Sequence, residues 1–282
     1  MNLSLSRSFP IAKAALAAAV IACAFALACS LAGCASGGTD SSSADADNTS
    51  ASTDGKTLRV AMELAYPPFE TKDDAGNPEG LAVDFIRDFG AAYGYDVQIE
   101  NTAWDGLIPS LQSDKADLVI SSMTITDERK QSVDFSDAYA MAQLAILANA
   151  DSGVASIDDL NQPGKKVAVK TGSTGDVYAT KNLTNAEIVR LADESACVTE
   201  VVQGKADGFL YDQLTIYRNH QANPDTTEAV FIPFQDAEEW GIAVKKGNTE
   251  LLDQLNAFIA QSKTDGEFDR LTEKYLADEK KA

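Results

Sequence analysis

The sequence predicts an α/β protein of two lobes with a cleft between them. Two observations carry this. Residues Thr57 to Tyr139 and Lys166 to Pro233 each read as an alternation of strands and helices. A closing strand and a pair of helices follow the second block, so the chain crosses between the lobes twice. Strand–helix–strand order builds parallel sheets, which hold ligands at the carboxyl ends of their strands. The folded part, roughly residues 56 to 282, is long enough for one large domain or two smaller lobes.

Thr57 to Met62 reads as the first strand. Glu63-Leu64-Ala65-Tyr66-Pro67-Pro68-Phe69-Glu70 leaves its end, and two prolines forbid both a ladder and a helix there, so this is a stiff loop. Asp73 to Gly80 is a turn. Val83, Phe85, Ile86 and Phe89 share one face of a helix ending near Gly94. Val97 to Asn101 is a second strand, and Trp104-Asp105-Gly106 opens a helix through Leu107, Ile108 and Leu111. Leu118, Val119 and Ile120 form the apolar run of a strand buried on both faces.

The second block opens with an apolar run, Leu144 to Ala148, then a short helix, Ser156 to Leu160, and a strand, Lys166 to Lys170. Thr171-Gly172-Ser173-Thr174-Gly175 is a Gly-rich turn that points free amides at an anion, with a helix expected from near Asp176. Glu187 to Leu191 is a strand and Asp193 to Gly204 a helix that buries Cys197. Gly208 to Tyr211 is a strand ending in Asp212, and a further helix runs towards His220, which is expected beyond the helix and exposed. Val230 to Pro233 is apolar and Gly241 to Val244 is the final strand. Glu250 to Leu276 gives two helices split at Asp265-Gly266, with Leu251, Leu255, Phe258 and Ile259 facing the core.

The chemistry concentrates after Leu118. Ser121 and Ser122 end a buried strand, Thr124 and Thr126 follow at alternate positions, and Arg129 comes next. Small hydroxyls leave room for a ligand and offer it hydrogen bonds, and a guanidinium fork grips a carboxylate with two parallel bonds. The combination reads as a carboxylate grip; the alternative is an ordinary strand followed by a polar loop and a surface Arg.

Residues 1 to 33 carry Arg7 and Lys13, no acid, and a long Ala-rich apolar run, which describes a secretory signal or, alternatively, a retained membrane helix. The ending Leu31-Ala32-Gly33-Cys34 resembles the bacterial lipobox, which implies cleavage before Cys34 and lipid on that cysteine. Residues 35 to 55 hold only small and polar side chains and act as a flexible tether. Loss of the leader takes the net charge from −20 to −22, which argues against nucleic acid and against docking on anionic lipid. With Cys23 and Cys29 in the leader and Cys34 acylated, Cys197 has no partner for a disulfide. No His/Cys cluster, P-loop or dinucleotide fingerprint occurs, so no cofactor or metal is expected.

From residue 56 to 276 the chain resembles the solute-binding proteins of bacterial amino-acid ABC transporters, solute-binding protein family 3. The resemblance rests on six segments in order: Glu63 to Glu70, Trp104 to Pro109, Ser122 to Arg129, Val133-Asp134-Phe135-Ser136, Val169 to Gly175, and Ala206-Asp207 leading to Asp212. It implies a type II periplasmic-binding-protein-like fold with the ligand trapped in the interlobe cleft. The hinge crossings would lie near Tyr139 to Gln143 and Asp236 to Trp240. Lobe 1 would take residues 56–140 and 240–282, and lobe 2 residues 141–239.

The resemblance also implies roles. Arg129 would bind the ligand α-carboxylate, helped by the backbone amides and hydroxyls of Ser122, Thr124, Ser173 and Thr174. Asp212, with the Ser121 carbonyl, would bind the α-ammonium, and Tyr66 and Trp104 would sandwich the ligand. Glu63, where many relatives have Asp, and Lys170 would face the ligand side chain. If those two pair, a neutral polar side chain such as an amide is favoured, with cystine or an acidic amino acid as other candidates. The protein implied is a monomeric lipoprotein that hands a polar amino acid to a permease. The alternatives are a same-fold enzyme such as a cyclohexadienyl-dehydratase-like lyase, with Glu63 or Lys170 as acid or base, and a sensory receptor.

Overall fold

A computed structural model describes residues 56–231 and 237–277 of the protein. The expected leader, Cys34, the tether, Pro233 and Asp236 lie outside those residues. Lys56–Met62 forms β1 because Leu58, Val60 and Met62 point an apolar set into the core. A hairpin of β2 (Thr71–Lys72) and β3 (Pro78–Glu79) frames the Asp73 turn. The helix α1 (Leu81–Tyr93) then buries Leu81, Val83, Phe85, Ile86 and Phe89 completely, and Gly94 ends it with a left-handed φ of 74°. β4 (Tyr95–Asn101) returns parallel to β1 along its whole length.

After a 3-10 turn at Trp104–Gly106 come α2 (Leu107–Gln112), β5 (Leu118–Val119) and β6 (Val133–Phe135). β5 is only two residues long, yet both are fully buried because it lies in the middle of the sheet. β7 (Ala140–Ala142) leaves this lobe.

In the second lobe, β8 (Leu144–Asn149) and α3 (Ile157–Leu160) precede β9 (Lys166–Lys170), α4 (Thr174–Asn182) and β10 (Glu187–Leu191). α5 (Glu194–Val202), β11 (Gly208–Asp212), α6 (Gln213–Ala222) and β12 (Thr227–Phe231) complete it. The strand order is β10-β9-β11-β8-β12, with β9 parallel to both β10 and β11 and β8 antiparallel to β11 and β12.

The chain returns through β13 (Glu238–Trp240), which pairs antiparallel with β7. β14 (Ala243–Lys245) then completes the first sheet, ordered β4-β1-β5-β14-β6. α7 (Thr249–Thr264) and α8 (Glu267–Leu276) pack back on α1, where Phe85 meets Phe258 at 5.0 Å and Phe268 at 5.6 Å between ring centroids. The two sheet-bearing lobes joined by the β7–β13 ladder form a type II two-lobed fold.

Two expectations are corrected. α4 begins at Thr174, two residues before Asp176, because the Ser173 hydroxyl accepts from the Asp176 N–H and nucleates the turn earlier. His220 lies inside the last turn of α6, half-buried and 3.3 Å from the Thr227 hydroxyl.

Candidate functional site

The first wall of the site is the irregular chain after β5. Ser121 is buried, and its hydroxyl accepts from the Glu63 N–H at 3.0 Å, which ties the loop after β1 to the strand end. Ser122 adopts a left-handed φ of 46°. A non-glycine residue there costs roughly 1 kcal/mol and persists only where neighbours fix it. They do: its N–H donates to the Tyr139 hydroxyl at 3.1 Å and its hydroxyl donates to Glu70 Oε2 at 3.2 Å.

Arg129 sits on a short 3-10 turn. Its Nη1 donates to the Thr124 carbonyl at 2.7 Å and its Nη2 to the Gly172 carbonyl, across the cleft, at 3.1 Å. The guanidinium lies 5.2 Å from the Trp104 ring centroid, a cation–π contact. Burial draws its pKa down, opposed chiefly by the negative charge of Glu238.

The opposite wall is built by the ends of β9 and β11. Gly172, with φ 73°, turns the chain from β9 into α4. Gly175 is needed for packing, since a Cβ there would lie 2.2 Å from the Leu210 carbonyl oxygen. α4 can therefore rest its first turn against β11 and direct its N-terminus at the cleft, where unpaired amides and the helix dipole favour an anion. Asp212 ends β11 and caps α6, its Oδ1 accepting from the N–H groups of Leu214 and Thr215 at 3.0 Å each. Burial pushes its carboxyl up from the usual range, against the pull of those amides.

A cross-lobe ion pair joins the walls: the Lys170 ammonium bonds the Glu63 carboxylate, both nearly withdrawn from solvent. Lys170 also lies 5.1 Å from the Trp104 ring centroid.

These groups line one recess between the two walls. Ten of the eleven residues singled out from sequence border it: Glu63, Tyr66, Trp104, Ser121, Ser122, Thr124, Arg129, Ser173, Thr174 and Asp212. Lys170 does not, and reaches the cavity through two residues that do, Glu63 and Trp104. Two further details differ from expectation. The amide and hydroxyl of Ser122 are engaged by Tyr139 and Glu70, so they are not free for a carboxylate. The Ser173 N–H is likewise engaged, donating to the Lys170 carbonyl, whereas its hydroxyl accepts from the Asp176 N–H and keeps its own hydrogen to donate.

Sequence reasoning missed four wall residues, Glu70, Tyr211, Glu238 and Trp240. The Tyr66 ring packs edge-on against Trp240 and Tyr211, with centroids 5.7 and 6.5 Å apart, so these aromatics form one surface. The buried Tyr66 hydroxyl faces Asp212 and Thr215 without a hydrogen bond of good geometry. Glu238, on β13, accepts from the Thr124 hydroxyl at 3.4 Å. Burial raises its pKa, whereas Thr174, Arg129 and Thr124 draw it down. Among the described residues no cluster of His, Cys, Asp and Glu could hold a metal ion. Chemically, the cavity offers a guanidinium and a helix N-terminus for an anion, and buried carboxyls for a cation.

Residues 58–278 match the family described as bacterial extracellular solute-binding proteins, family 3, and the chain belongs to it. It is similar to a probable histidine-binding protein of Neisseria gonorrhoeae, at 35% identity over 90% of this chain and 94% of that protein. Among solved structures it is similar to an ancestral amino acid-binding protein described as a precursor of cyclohexadienyl dehydratase. That likeness has a TM-score of 0.72 and 38% identity, covering 78% of this chain and 94% of the other. An ancestral arginine-binding protein bound to glutamine matches equally well, with a TM-score of 0.72 and 37% identity over 78% of this chain and 97% of that one.

Proposed function

We propose that the protein captures a free polar amino acid, glutamine-like in its side chain, outside the cytoplasm and delivers it to an ABC transporter permease. The observation that carries the reading is the convergence of Arg129 and Asp212 on one small cavity between the lobes. A zwitterion entering such a cavity loses its water, so each of its charges requires an oriented opposite. In this reading Arg129, Thr124 and the α4 N-terminus at Thr174 receive the carboxylate. Asp212 and the Ser121 carbonyl receive the ammonium, and Tyr66 and Trp104 flank the ligand. Residues 56–140 and 240–282 act as one lobe and 141–239 as the other. A ligand that touches both favours the closed form, which a permease can recognise.

The pairing of Glu63 with Lys170 supports the amide preference, since each cancels the charge the other would show a side chain. The Leu31-Ala32-Gly33-Cys34 sequence supports a lipid anchor on Cys34, with residues 35–55 as tether. Holding rather than changing the amino acid is favoured over lyase chemistry by relatives named as binding proteins.

A thermal-shift screen of the twenty common L-amino acids and L-cystine, followed by calorimetry, tests the reading. L-glutamine is expected to raise the melting temperature and to be recovered unaltered. Tight L-arginine binding with no response to glutamine would overturn the side-chain assignment, and chemical conversion of the ligand would overturn the non-catalytic role.

A further inference from the structure

The cavity contains an acid to which the reading above gives no role. Glu70 closes the Pro67-Pro68-Phe69 loop, and its backbone is pinned to Tyr66 in both directions, Tyr66 N–H to Glu70 O at 2.7 Å and Glu70 N–H to Tyr66 O at 2.9 Å. Its side chain is wholly withdrawn from solvent yet borders the cavity. One oxygen, Oε2, accepts from the Ser122 hydroxyl. The other, Oε1, is fully buried and has no hydrogen-bond partner. Buried carboxyl oxygens are normally satisfied, so an orphan at a cavity wall marks a place where a donor is expected to arrive.

An ammonium supplies such a donor. It carries three N–H groups, while one oxygen of Asp212 is already committed to the α6 cap. We propose that Glu70 is a second carboxyl acceptor for the ligand ammonium, and that binding a free amino acid drives off the proton Glu70 carries in the unliganded protein. The inference rests on the amino-acid reading. The proton goes to solvent: a neutral carboxyl and a free ammonium become a carboxylate–ammonium pair plus one released H⁺.

The surroundings agree with a neutral resting state. Burial is the strongest influence holding the Glu70 proton on, reinforced by Glu63 from its own loop and Asp212 from the end of β11. The Ser122 hydroxyl and Lys170, at the end of β9, act against them. The Tyr139 hydroxyl, also buried and facing Glu70, is pushed far above its ordinary pKa and stays uncharged. A cation delivered to Oε1 reverses the balance.

The test is calorimetry of the tightest binder from the amino-acid screen, in buffers of different ionisation enthalpy, for the wild type and Glu70→Gln. The wild type is expected to release roughly one proton per ligand and to gain about tenfold in affinity per pH unit while the free carboxyl stays protonated. In Glu70→Gln both effects should vanish and affinity should fall. The α-hydroxy analogue of the ligand, which has no ammonium, should bind the wild type without proton release, a check that does not require the variant to fold. Binding without proton release in the wild type would overturn the inference alone. So would release that persists in Glu70→Gln, since the proton would then come from another group such as Asp212. Failure of every amino acid to bind would overturn the amino-acid reading and this inference with it.

Discussion

Arg129 and Asp212 differ in what each loses on substitution. Arg129 holds the Thr124 and Gly172 carbonyls and stands over Trp104, but no core packing depends on it. Arg129→Ala should therefore leave the melting temperature nearly unchanged while weakening ligand binding at least ~100-fold, the order of 3 kcal/mol measured for truncating a buried charged contact. Asp212→Asn retains an N-cap oxygen, so α6 should survive while affinity falls on a similar scale. Calorimetry together with thermal melting separates the two effects. Glu194, behind the site, gives a pH-dependent counterpart: burial, with a contribution from Asp212, raises its carboxyl to about 7. In the unfolded chain it ionises near its ordinary value, so the unliganded protein should lose stability as pH rises towards 7 and level off above it. Glu194→Gln should match wild type at pH 4 and exceed it at pH 8 by about 3 kcal/mol in denaturant melts. Arg129 and Asp212 were legible from sequence because each follows a recognisable strand end. Glu70 and Glu238 were not. Glu70 lies in the proline loop and Glu238 in the expected second crossing, and their burial is created by that loop folding back on Tyr66 and by β13 pairing with β7 and with the chain at Thr124 and Ile125.

At the scale of elements, α4 is the most informative. Its start depends on the Ser173 cap and its position on the absence of a side chain at Gly175. Gly175→Ala would force a methyl into the Leu210 carbonyl and lift the helix off β11. The expected cost is about 1–3 kcal/mol of stability with a clear loss of ligand affinity, measured by melting and calorimetry on one preparation. Unchanged affinity would mean that the α4 N-terminus has no part in binding. The parallel strands and the helix faces of both lobes followed directly from apolar spacing, as with Phe85, Ile86 and Phe89 on α1. The two-residue β2, β3 and β5 were harder to foresee in extent. Their limits come from neighbouring strands rather than from their own residues, and β5 stops where Ser121 and Ser122 turn towards the loop after β1.

For the whole molecule, two sheet-bearing lobes meet through one short ladder and touch across the cleft at Glu63–Lys170 and Arg129–Gly172. These contacts couple closure to selectivity. Removing the ammonium with Lys170→Ala exposes the Glu63 charge to the ligand, so preference should move from glutamine towards arginine in competitive calorimetry; an unchanged ratio would mean that Glu63 does not face the side chain. The central claim is that both charges of a free amino acid are needed at once. It is tested most directly by titrating the best amino-acid ligand beside two analogues, one lacking its carboxylate and one lacking its ammonium. Each analogue should bind at least ~100-fold more weakly, as expected when one buried charge is left unpaired. An analogue that binds within about threefold of the parent, a difference of under 1 kcal/mol, would contradict it.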